Sequence, residues 1–119
     1  MHRVYAAFGF GIVALGLLHV FSMPRNLTPQ ALWFASGGLA MILTGVLNVL
    51  NRAYGTGAPG LRWACIGANV VMVAFASLFG LISRATVGQF VIVVGLFVGS
   101  TVCSLLRRAL RPGSVVRAA

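Results

Sequence analysis

The chain has 119 residues, of which 60% are hydrophobic and only 8% charged, whereas a soluble domain carries about a quarter of its residues as charges. Every charge is an arginine: nine of them, with no aspartate or glutamate, give a formal net charge of +9. That composition excludes proton relays through carboxylates, two-carboxylate glycosidase chemistry, EF-hand calcium sites and carboxylate-bridged metal centres.

Four apolar runs follow one another at 4–23, 31–50, 63–83 and 86–106. At 1.5 Å of rise per residue, about 20 residues make about 30 Å, the hydrocarbon thickness of a bilayer, so each run is long enough to span alone. The expected fold is an all-α integral membrane four-helix bundle, one transmembrane domain over 1–119, running up-down-up-down. The first run follows Arg3 as a secretory signal would, but it exceeds the usual length of about 7 to 15 apolar residues and reads as a retained helix.

The stretch PRNLTPQ at 24–30 breaks the chain with two prolines, and Ser22 or Thr28 is placed to cap a helix beside it. Asn26, Leu27 and Thr28 match the glycosylation pattern in a loop too close to the membrane to use it. The stretch NRAYGTGAPG at 51–60 combines three glycines with Pro59 and predicts the longest, most flexible connection. Residues 83–85 are so few that the third and fourth helices must be antiparallel neighbours. Arg111, Pro112 and Gly113 end the last helix and release a basic tail, counted over 107–119.

On the expected topology Arg3, Arg52, Arg62, Arg107, Arg108, Arg111 and Arg117 share one side, and only Arg25 and Arg84 the other. The positive-inside rule then puts both termini and the glycine-rich connection in the cytoplasm. The arginines, at the ends of apolar runs, are expected to meet anionic lipid headgroups and not nucleic acid. Trp33 and Trp63 lie near span starts, where indole rings favour the headgroup level.

Helices in lipid associate through small residues and interhelical hydrogen bonds. The second span offers Ser36, Ala40, Thr44 and Asn48 at a spacing of four. The fourth offers Gly88, Gly95, Gly99 and Cys103, the third Asn69, Ala76, Gly80 and Ser83, and the first Ala7, Gly11 and Ala14. These are expected to be internal packing faces, with the Gly95 and Gly99 pair as the candidate for an outward dimer seam.

Few residues could carry chemistry. His19 lies about one turn inside its span and could bind haem or a quinone, or, with Gln89 at a similar depth, line a polar vestibule. The plainer role is one interhelical hydrogen bond. Asn48, Asn69 and Thr44 form a second candidate ligand site, with an Asn48 to Asn69 hydrogen bond as its structural counterpart. Cys65 and Cys103 read as small packing residues near the cytoplasmic helix ends, and no set of metal ligands is present. No nucleophile elbow, HExxH, CxxC or phosphate-binding loop occurs.

Four short spans in about 120 residues resemble, in architecture alone, small bacterial inner-membrane proteins such as the DoxX-like and small multidrug-resistance groups. The drug and proton coupling of the latter uses a glutamate in the first helix, and this chain has none. The leading expectation is therefore a non-enzymatic accessory or scaffold subunit that self-associates or joins a larger membrane complex. The alternatives are a transporter, channel or binder of a small neutral or lipid-like molecule, and a haem- or quinone-associated redox subunit.

Overall fold

The computed structural model describes residues 1–83 and 86–106; Arg84 and the basic tail at 107–119 lie outside the described residues. Four helices follow in order: α1 (His2–Phe21), α2 (Pro29–Tyr54), α3 (Pro59–Ile82) and α4 (Val87–Leu105). All four are long and apolar enough to cross a membrane.

Local chemistry sets most of the ends. Thr28 caps α2, its hydroxyl accepting from the Ala31 N–H at 3.2 Å, and Pro29 follows in the first turn, where its missing N–H costs nothing. Thr86 and Gln89 form a reciprocal capping box at the start of α4. Pro59 opens α3 in the same way as Pro29.

The long flexible connection expected over 51–60 is a correction. Helix α2 continues through Tyr54 and α3 begins at Pro59, which leaves only residues 55–58 between them. Loop-forming residues stay helical here because the Asn51 side chain is fully buried within the bundle, where it has a hydrogen-bond partner (below). At 26 residues, α2 measures about 39 Å, longer than the roughly 30 Å of a bilayer's hydrocarbon.

The closest helix contact joins α1 to α2 through glycine pairs spaced seven apart. A Cβ on Gly16 would fall 2.7 Å from the Gly38 carbonyl oxygen, and one on Gly45 would fall 2.8 Å from that of Gly9. Gly9 thus faces Gly45 while Gly16 faces Gly38, so the two helices run in opposite directions. Backbone lies against backbone, with the Val13 and Val20 side chains reaching over Gly45 and Gly38. This is dispersion packing that no side chain larger than hydrogen permits.

The packing faces expected from the sequence are accordingly revised. In α1, Ala7 and Ala14 are exposed, and Gly11 meets Leu96 of α4. In α2, Ser36 is exposed and returns its hydroxyl to the Trp33 carbonyl (2.7 Å). Ala40 packs against the cluster of Ile12, Met72 and Phe97 that joins α1, α3 and α4. The Gly95 and Gly99 pair is divided. Gly99 is covered by Phe8 of α1, 2.5 Å from a Cβ there, while nothing lies within 4 Å of one on Gly95 or Gly88. Gly99 therefore packs against the chain's own phenyl ring.

Large apolar side chains face outward on every helix, among them Phe10, Leu43, Val71 and Ile92. Water would penalise such a surface, and lipid is its natural complement. Trp33 and Trp63 are also exposed.

Candidate functional site

Among the described residues, a cluster of buried polar side chains lies where the start of α1, the end of α2 and the first half of α3 meet. Helical spacing assembles it: Thr44, Asn48 and Asn51 follow at four and three on α2, Cys65 and Asn69 at four on α3, and Tyr5 enters from α1. Asn48, Asn51, Cys65 and Asn69 are each 0% exposed, and Tyr5 1%.

At its centre two amides face each other. Asn48 Nδ2 donates to Asn69 Oδ1 and Asn69 Nδ2 donates to Asn48 Oδ1, both at 2.9 Å. Each Nδ2 also donates back to the carbonyl one turn earlier, Asn48 to Thr44 at 2.8 Å and Asn69 to Cys65 at 3.0 Å. Asn48 Oδ1 further accepts from the Tyr5 hydroxyl (3.1 Å) and the Cys65 thiol (3.3 Å). The Tyr5 oxygen in turn accepts from Asn51 Nδ2 at 2.8 Å. Asn51 Oδ1 has no partner and sits against Gly55, where a Cβ would collide with it.

This arrangement ties three helices at one depth. Hydrogen bonds between transmembrane helices average about 0.6 kcal/mol, so the network specifies register more than it adds stability. It contains no carboxylate, lysine or histidine, and nearly all its donors and acceptors are occupied by one another. Thr44 is part of it only through its carbonyl, since its hydroxyl donates to Ala40 at 2.8 Å.

The polar vestibule is not assembled. The His19 ring stacks on Phe34 of α2, with centroids 3.6 Å apart and planes 20° apart, and its Nε2 lies 3.8 Å from the point where a Gly37 Cβ would stand. Gln89 is exposed and its amide oxygen accepts from the Thr86 N–H at 3.3 Å. His19 is engaged by α2 and Gln89 by the start of its own helix. Among the described residues, no group of three or more histidines, cysteines or carboxylates could hold a metal ion.

Tyr5 and Asn51 belong to the site although their sequence context conceals them. Tyr5 stands in an apolar run beside other aromatics, and Asn51 opens a stretch with strong loop signals. The available clue was the spacing of Asn51 from Asn48 and Thr44, which continues one helical face.

Fold and site together define a multi-pass, all-helical membrane protein with an internally bonded polar clasp. Comparison with protein-family models, characterised proteins and solved structures gives no match for this chain.

Proposed function

We propose that the chain is a non-enzymatic scaffold or accessory subunit of a bacterial inner membrane. It crosses four times up-down-up-down, with both termini and the 55–58 connection in the cytoplasm, and associates with itself or with a larger membrane complex. The arginine distribution supports the orientation, and anionic headgroups are the counterpart of those arginines.

The observation that carries this reading is the reciprocal amide pair of Asn48 and Asn69, whose donors and acceptors are taken up within the chain. Intramembrane polar groups that serve transport or catalysis line a cavity or await a partner. Here they bond to each other. The surface for association is the open side of α4 at Gly88 and Gly95, where the helix backbone is accessible to a neighbouring helix.

The test is purification in mild detergent with native mass spectrometry, comparing the wild type with Gly95→Leu. Dimers or a stoichiometric protein partner are expected, weakened by the substitution. A monomer without any partner would refute the reading.

A second reading rests on His19, whose imidazole takes part in no hydrogen bond among the described residues and stacks on Phe34 beside Gly37. In that reading it binds haem, a quinone or another small ligand. An absorbance spectrum of the same preparation with a Soret band, lost in His19→Ala, would favour it.

A further inference from the structure

We draw no further inference here: the strongest candidate, the exposed face of α3 at Gly60, Ala64, Gly67 and Val71, which repeats the glycine spacing that joins α1 to α2, carries nothing because nothing in the structure shows what covers it.

Discussion

Replacing Asn48 and Asn69 by leucine, singly and together, tests whether the amide pair acts as one unit. Each single substitution removes both amide bonds at 2.9 Å and strands the other amide, which is fully buried. The Asn48 change also removes the acceptor of Tyr5 and Cys65, so it should cost about 2 kcal/mol or more. In the double variant neither amide remains to be stranded, and two leucines of similar volume replace the pair. The double change should therefore cost less than the sum of the singles. Two interhelical bonds at about 0.6 kcal/mol each give a coupling of about 1.2 kcal/mol. Reversible unfolding in mixed detergent micelles, followed by circular dichroism, measures it. Additivity to within about 0.3 kcal/mol would refute the pairing.

The glycines divide by what a methyl group would meet. Gly38→Ala puts Cβ 2.7 Å from Val20 Cγ2 and 2.9 Å from the Gly16 carbonyl oxygen, so it should lower stability by about 1 to 3 kcal/mol. Gly67→Ala meets nothing within 4 Å and should raise it, by up to about 1 kcal/mol from helix propensity; thermal melts of the two variants should shift in opposite directions. Gly99→Leu must displace the Phe8 ring and should destabilise the monomer, whereas Gly95→Leu displaces nothing and should not lower its melting. Equal melts for those two variants would contradict the division of the pair.

Depth was legible in the sequence, and direction around the helix was not. Apolar length located four helices, and the Asn48 to Asn69 contact follows from their similar distance from one end of adjacent spans. His19 and Gln89 share a depth by the same reasoning, yet one stacks on Phe34 and the other caps α4. Gln89 stands three residues after Thr86, which is itself a capping-box spacing, so the competing local role was visible. The glycine contact between α1 and α2 escaped because its members recur at seven, two turns apart, and not at four. Only the pairing of Gly9 with Gly45 and Gly16 with Gly38 gives that period meaning, and pairing is a tertiary property.

The distribution of buried residues links the clasp to the proposed association. In α3 the buried residues are Cys65, Asn69 and Met72, and in α4 they are Phe97, Ser100, Cys103 and Ser104. Past Met72 in α3, and before Phe97 in α4, no described residue is fully buried. Helix α1, by contrast, continues its buried face to Gly16, and α2 extends its own to Ala31 at the far end. The first hairpin is therefore sealed along its length by glycine contacts, while the second is held to it mainly at the end that contains the amide network. Gly88 and Gly95 lie on the less covered half of α4, where a neighbouring helix could approach without displacing any internal contact. A neutral clasp suits that arrangement, because it fixes register at one end without burying a charge that would itself demand a partner.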